Sequence, residues 1–412
     1  MTNKMTLYVD YNCGSQDRIH KGNTMKSKIA SAVAVLAAIN SMSVAHAQGS
    51  VTLYGLIDAG LSFTHNVANS ANKNQNSNQV AFTNSQLSGN RWGLRGREDL
   101  GGDLSAVFVL ESGFKPGTGS LGQGGREFGR QAYVGLKDNQ WGTVTLGRQY
   151  DPLKDLLQPL TADNIWGAVN VTPGDLDNYD NSLRVNNAVK YASPVWSNLQ
   201  LEAMYAFGGV AGNFSAGGTA AVAMTYKFSG FSVGGGYFIA KYDPSNTTNN
   251  SSDVINNSLA SGAYASAARS LQIARLAATY DIGKFTVGAG YSNTRYKPAV
   301  TFGTAFQQTE AFNSLSAFVN YKFTPAFLGG LAYSFTNSNG AQSAHYNQIG
   351  AEAEYLLSVR TSLYALVGYQ RSAGQTLSGN LTVPATASVG DIGYQSASKS
   401  QMTTLVGIVH RF

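Results

Sequence analysis

The side chains of this 412-residue sequence that are able to act on a partner are charged rather than nucleophilic. Arg91, Arg95 and Arg97 occupy alternate positions, Arg184 and Lys190 share a parity further on, and Arg130 stands alone between neutral residues. A second set, Asp151, Asp155, Asp163, Asp175, Asp177 and Asp180, falls within residues 150–183, where Lys154 is the single cation. Set across a water-filled gap, two such groups would orient polar solutes and sort them by charge. Covalent chemistry has no comparable support. Nucleophilic catalysis needs a nucleophile oriented by His and a third group, whereas beyond residue 47 only His65, His345 and His410 occur, far apart and without paired ligand spacing. The single cysteine, Cys13, excludes a disulfide framework or a cysteine zinc site within this chain. No catalytic residue, metal ligand or cofactor is expected, and the loop carboxylates read as solvated.

The elements that must position these charges follow from composition. Charged residues are 13% of the chain, with 46 Gly, 22 Tyr and only 9 Pro, a profile that suits strands better than helices. After the first fifty residues no run of about 18 apolar residues appears, so only closed β structure could cross a bilayer. The net charge of +6 is concentrated at the start: residues 1–47 carry five Lys/Arg against two Asp, which leaves 24 against 21 in the remainder. No basic cluster interleaved with aromatics exists, and nucleic acid is excluded as a partner.

Successive side chains of a strand point to opposite faces, so a wall between lipid and water alternates apolar and polar residues. Val51, Leu53, Ile57, Leu61 and Phe63 alternate with Thr52, Asp58, Ser62 and Thr64. The same pattern recurs at Leu104 to Leu110 beside Ser105 and Glu111, and at Leu199 to Phe207 beside Glu202. It returns at Val222 to Phe228, Phe285 to Tyr291 and Ile349 to Leu357. Tight connections at 98–103, 137–142, 193–198, 229–230, 281–284, 324–326 and 358–362 alternate with longer polar stretches, among them 65–88, 150–183, 241–269 and 371–400. Seven turns and eight loops predict an all-β, transmembrane antiparallel β-barrel of about sixteen strands. Aromatics beside the short turns, such as Tyr226, Phe228, Tyr321 and Phe323, fit an interfacial girdle and disfavour a secreted β-sandwich.

Several stretches then resemble a known family, the general, non-specific porins of Gram-negative bacteria, in particular the β-proteobacterial type. They are Gly49-Ser-Val-Thr-Leu-Tyr-Gly-Leu-Ile-Asp58, Asn90-Arg-Trp-Gly-Leu-Arg-Gly-Arg-Glu-Asp-Leu-Gly101, Arg130-Gln-Ala-Tyr-Val-Gly-Leu136, Gly147-Arg-Gln-Tyr150, Asn186-Asn-Ala-Val-Lys-Tyr-Ala-Ser-Pro194 and His410-Arg-Phe412. The resemblance implies a sixteen-stranded barrel of the cell outer membrane, a homotrimer, and a third external loop folded inward. It also implies that the terminal aromatic, Phe412, is read by the barrel-assembly machinery. The expected function is a water-filled channel for passive diffusion of ions and small hydrophilic solutes, in contact with outer-membrane lipid and lipopolysaccharide. The runner-up is a substrate-selective channel for sugars or for anions such as phosphate.

Alternation assigns the charges of such a channel. With Trp92 and Leu94 toward lipid, Arg91, Arg95 and Arg97 face inward, because an arginine in the lipid midplane costs roughly 2–4 kcal/mol. Arg130 is likewise inward, as are Arg184 and Lys190 with Val185, Val189 and Tyr191 outward. By resemblance, Arg91 and Arg130 belong to the family's basic wall. The acidic stretch 150–183 is the candidate inward loop. Asp151-Pro152 reads as N-cap and first-turn proline of a short helix, and Leu153, Leu156, Leu157 and Leu160 recur at helical spacing as a stripe to rest on the wall. The basic wall favours anions, the loop acids favour cations, and the sequence leaves the balance open.

The chain start reads as an address. Met25-Lys-Ser-Lys28, the apolar run 29–39 and Ala45-His-Ala47 have the three parts of a secretory signal in order, so the barrel domain is expected at 48–412. Residues 1–24 are polar and unpatterned, an extension from a misassigned start, with Met25 the expected initiator. N-terminal sequencing of the unprocessed precursor should therefore begin at Met25; material beginning at Met1 refutes this reading.

Overall fold

The wall is built by the period-two pattern itself. The computed structural model describes residues 49–180, 183–242, 250–253, 259, 261–299 and 305–412; the extension expected at 1–24 and the signal peptide expected at 25–47 lie outside them. Sixteen wall strands occur among the described residues. They are β1 (Ser50–Ala68), β2 (Asn76–Asn84 and Arg91–Gly101, which pair in succession with β1), β3 (Leu104–Lys115), β4 (Gln131–Asp138), β5 (Gly142–Gln149) and β6 (Val185–Ala192). Then come β7 (Leu199–Ala206), β8 (Thr219–Phe228), β9 (Phe231–Lys241), β10 (Ala268–Ile282), β11 (Phe285–Pro298) and β12 (Glu310–Thr324). The last four are β13 (Phe327–Asn339), β14 (Ala344–Leu356), β15 (Thr361–Ser378) and β16 (Ser400–Arg411). Each pairs antiparallel with the next, and β1 pairs with β16 from Leu56 opposite Arg411 to His65 opposite Met402, which closes the barrel.

All seven tight connections of the sequence fall between consecutive strands at one end. At the other end, strand pairing runs further than hydropathy suggests. The stretch 65–88 contains the end of β1 and the first half of β2, and 371–400 contains the end of β15 with a short partner, Leu381–Pro384. There the backbone ladder continues while Asn, Ser, Thr and Gln enter both faces and outward apolar residues thin to a few such as Val80 and Phe82, so alternation weakens while hydrogen bonding does not.

The two faces separate as the pattern requires. Val51, Leu53, Leu61 and Phe63 of β1 are exposed on the outside, whereas Asp58, Ser62 and Thr64 are buried within. Met224 and Phe228, Leu276 and Ile282, Ile349 and Leu357 continue the outer apolar surface. The outer face thereby meets lipid, and the ladder closes on itself through β1 and β16, so the wall has no open edge.

Residues 150–180 and 183–184, between β5 and β6, pack against inward-facing wall positions. Helix α1 (Pro152–Leu157) starts where the sequence indicated: the Asp151 carboxylate accepts the N–H groups of Leu153 at 2.9 Å and Lys154 at 3.2 Å. Leu153, Leu156 and Leu157 are buried against small wall residues, among them Ala221, Ala223 and Ala188. Glycines complete the seat, since a Cβ on Gly236 would lie 2.9 Å from Leu153 Cγ, and one on Gly234 would lie 2.6 Å from Leu157 Cδ2. The arrangement continues around the barrel: Gly330 lies beneath Trp166, Gly350 beneath Asn170 and Gly368 beneath Val169.

Gly236→Leu should therefore overfill the seat of α1 by about 1–3 kcal/mol while the wall still closes. The expected result is a folded barrel that is cut by protease within 150–184 at concentrations that leave the parent intact; equal resistance refutes the seating.

Candidate functional site

A cavity of about 900 Å³ separates the loop from the wall on the side of β1 to β4, and its lining includes Arg91, Arg130, Arg184 and Lys154 together with Glu111, Asp163, Asp180 and Asp391. β2, β3 and the residues before β4 and β6 bring these groups together, since inward parity on adjacent strands stacks Arg91 and Glu111 on one face.

Glu111 is the centre of the arrangement. Its Oε1 accepts Arg130 Nε at 2.8 Å and the Tyr150 hydroxyl at 2.9 Å, while its Oε2 accepts the Tyr54 hydroxyl at 2.9 Å and lies 4.0 Å from Arg91 Nε. Tyr150 in turn is ringed by cations: the guanidinium carbons of Arg130 and Arg184 lie 5.9 and 5.7 Å from its ring centroid, and Lys154 Nζ lies at 4.2 Å. The negative ring face and one carboxylate thus hold like charges together that would otherwise repel.

The other wall bases lie elsewhere. Arg95 stacks over Tyr54 at 5.3 Å and Arg97 Nε donates to Ser105 at 3.0 Å, two and three inward steps from Arg91 toward the tight turn, and neither lines the cavity. Lys190 faces inward but is consumed by the loop: Nζ is 2.5 Å from Asp155 Oδ2 and donates to the Tyr150 carbonyl at 3.1 Å. Burial pushes the Asp155 carboxyl up, but the Lys190 and Lys154 ammoniums outweigh it and hold it below its ordinary value.

The loop acids differ most from their sequence reading as solvated groups. Asp151 caps α1 and accepts Asn178 Nδ2 at 2.9 Å; Asp175 accepts the Asp180 N–H at 2.9 Å; Asp177 accepts Thr172 at 2.7 Å and Ser292 of β11 at 2.5 Å. All three are buried and none lines the cavity, because backbone turns inside a barrel must find donors and acceptors there. Asp163 and Asp180 do reach it. Burial lifts Asp163 to about 6, against hydrogen bonds from Thr161 and Gln158. Burial and the neighbouring Asp175, Asp391 and Asp163 carboxylates drive Asp180 well above the usual range.

Several residues that shape the site carry no local signal beyond inward parity. Gln348 Nε2 donates to the carbonyls of Val169 and Val171 at 2.9 Å, and its Oε1 accepts Gln370 Nε2 and the Gly390 N–H. Asp391, from the last loop, donates its N–H to the Ala168 carbonyl at 2.9 Å, so two loops share one bracket. Asp58 takes the N–H groups of Leu87 and Ser88 at 2.7 and 2.8 Å, which fixes the break in β2 where Gln86 accepts the Ala168 N–H. Buried Arg275 stacks 3.8 Å over Tyr179, and Arg148 pairs with Asp253 at 2.7 Å. Phe412 exchanges two backbone hydrogen bonds of 3.0 Å with Gly55 and lays its ring where that glycine lacks a side chain.

Known proteins agree with this construction. An outer membrane porin protein of Bordetella pertussis is 38% identical over 173 residues, 40% of this chain and 44% of that protein. Outer membrane porin protein 32 of Delftia acidovorans is 34% identical over 184 residues, 43% and 48% respectively, so the chain spans about half the length of these two relatives. A major outer membrane protein P.IB of Neisseria gonorrhoeae is 28% identical over 333 residues, 78% of this chain and 89% of that one. Among solved structures, an anion-selective porin from Comamonas acidovorans shares the fold with a TM-score of 0.68 at 24% identity, covering 89% of this chain and all of that one. The family description Gram-negative porin matches residues 30–375, and the chain belongs to that family.

Proposed function

We propose that this outer-membrane protein forms a water-filled channel through which ions and small hydrophilic solutes diffuse passively. The observation that carries the reading is the combination of an apolar outer face with a polar cavity lined by Arg91, Arg130 and Arg184. A pore of this kind replaces part of a solute's hydration with fixed charges and needs no reaction; transport, not catalysis, is the role assigned. A homotrimer belongs to this reading; one solved neighbour of the same fold, OmpT of Vibrio cholerae, is described in a trimer form. Lipid and lipopolysaccharide around the wall, and recognition of Phe412 by the assembly machinery, belong to the same reading, as does removal of residues 25–47 as a signal.

The cavity charges incline the channel toward anions. Glu111 is neutralised by Arg130, and burial beside other carboxylates favours the neutral form of Asp180, which leaves cations in excess at neutral pH; Asp163, raised to about 6, joins Asp180 as pH falls. The Comamonas porin of the same fold is described as anion-selective, which is in keeping with this inclination.

Two measurements in planar bilayers test the assignment. Replacing Arg91, Arg130 and Arg184 by Gln should move the reversal potential in a KCl gradient toward cation selectivity, a permeability ratio changed by roughly threefold or more, while the Lys versions stay close to the parent. An unchanged potential in the Gln variant removes these residues from the conducting path. The second uses pH. A carboxyl whose value is raised to about 6 gains its proton as pH falls through that value, so anion preference should increase from pH 8 to pH 5 and Asp163→Asn should abolish most of the change. A pH-independent parent contradicts the role of Asp163.

A further inference from the structure

Behind the loop, on a part of the wall that does not line the cavity, stands a cation that solute passage does not use. Arg275 of β10 is 2% exposed and faces inward between Gly236 of β9 and Ser292 of β11. Among the described residues it makes no ion pair, and its Nε, Nη1 and Nη2 make no hydrogen bond. Loop carboxylates that feel its charge are held by other donors: Asp151 by the N–H groups of Leu153 and Lys154 and by Asn178, and Asp163 by Thr161 and Gln158. The group that meets the guanidinium is a ring. Its carbon lies 3.8 Å from the centroid of Tyr179, a buried loop residue whose hydroxyl is likewise without a hydrogen bond among the described residues.

A guanidinium tolerates such burial better than an ammonium because it is more weakly hydrated, and the negative face of an aromatic ring attracts it more strongly once water is excluded. The contact is tied to one rung of the wall. Ser292, the ladder partner of Arg275, donates to Asp177 Oδ2 at 2.5 Å, and a Cβ on Gly290, the next inward position of β11, would lie 3.5 Å from the Tyr179 hydroxyl oxygen. Loop residues 177–179 are thus held from two adjacent strands, by Ser292 through Asp177 and by Arg275 through Tyr179. Asp180 follows directly in the chain and lines the cavity. Whatever fixes Tyr179 therefore fixes the edge of the loop that carries this acid.

We propose that Arg275 is a positioning residue of the channel: through the face of Tyr179 it pins the second half of the loop to the wall and so sets where Asp180 meets the conducting gap. The pin stands on this contact alone, whereas its effect on selectivity rests on the channel reading. Without it, residues 175–180 leave the wall and the Asp180 carboxyl reaches water. An acid kept neutral by burial then ionises, and anion preference falls.

Amide hydrogen exchange of residues 175–180 in the folded protein tests the pin, with residues 331–337 of β13 as the wall control. Phenylalanine and its mono-, di- and trifluoro analogues at position 179 keep the shape of the ring and weaken its negative face step by step. Tyr179→Phe should exchange as the parent does, since the hydroxyl makes no hydrogen bond, and the fluorinated rings should exchange faster in order of fluorine count. Tyr179→Leu and Arg275→Met should each exchange about thirtyfold faster, with Arg275→Lys between them and the parent and the wall control unchanged. Exchange that ignores fluorine count, or parent-like exchange in Arg275→Met, overturns the pin. Should Arg275→Met fail to assemble, the ring series decides, because it leaves Arg275 in place. In planar bilayers at pH 7 the faster-exchanging variants should lose anion preference; a parent-like reversal potential in them overturns the positioning role. The channel reading is judged separately, by the Gln variant of the cavity arginines, which leaves this pair intact.

Discussion

A strand wall in hydrocarbon has no water to satisfy its backbone, so every N–H and C=O must be paired within the protein, and only a closed ladder does that. Closure here depends on β1, which bonds β2 along its length and β16 from Leu56 to His65. The terminal Phe412 completes the join through Gly55. Once the ladder is closed, each outward position is committed to lipid and each inward one is released from it. The inward arginines, glutamines and carboxylates of this chain exist on those terms.

The interior is then filled from one side. The loop between β5 and β6 buries a leucine stripe and a tryptophan against a row of glycines and alanines, whose lack of side chains makes room for it. Folding a loop inside a barrel buries its polar groups as well, and a buried carboxylate without donors is costly. Asp151, Asp175 and Asp177 answer that cost locally, each with hydrogen bonds from the loop or wall. Acids that might have balanced the wall arginines are thus occupied in holding the loop. The sign of the cavity is a by-product of how the loop is fastened.

Cations serve different purposes according to face and height. Arg130 points inward and is stabilised by Glu111 and Tyr150. Lys190, also inward, is spent on Asp155. Lys241 and Lys297 point outward where the apolar band ends, a level at which a long aliphatic stem can rest on lipid while the charged head reaches polar groups. Residue type is shared among these positions; their environments are not.

The sequence by itself determined the wall. Alternation at Val51 to Thr64, the seven tight turns and the cap at Asp151-Pro152 are local signals, because strand parity, turn chemistry and helix capping depend on neighbours in the chain. It also determined which charges face inward, since lipid tolerates no other choice for Arg91 or Arg97. Tertiary structure alone decided which inward residues meet. Glu111 finds Arg130 and Tyr150, Lys190 finds Asp155, and Gln348 finds the carbonyls of Val169 and Val171, pairs separated by 19 to 179 residues. Such meetings follow from register and closure around the whole circumference, and no window of sequence carries them. The solvated reading of the loop acids failed for the same reason: their burial is a property of the barrel around them, not of the segment they occupy.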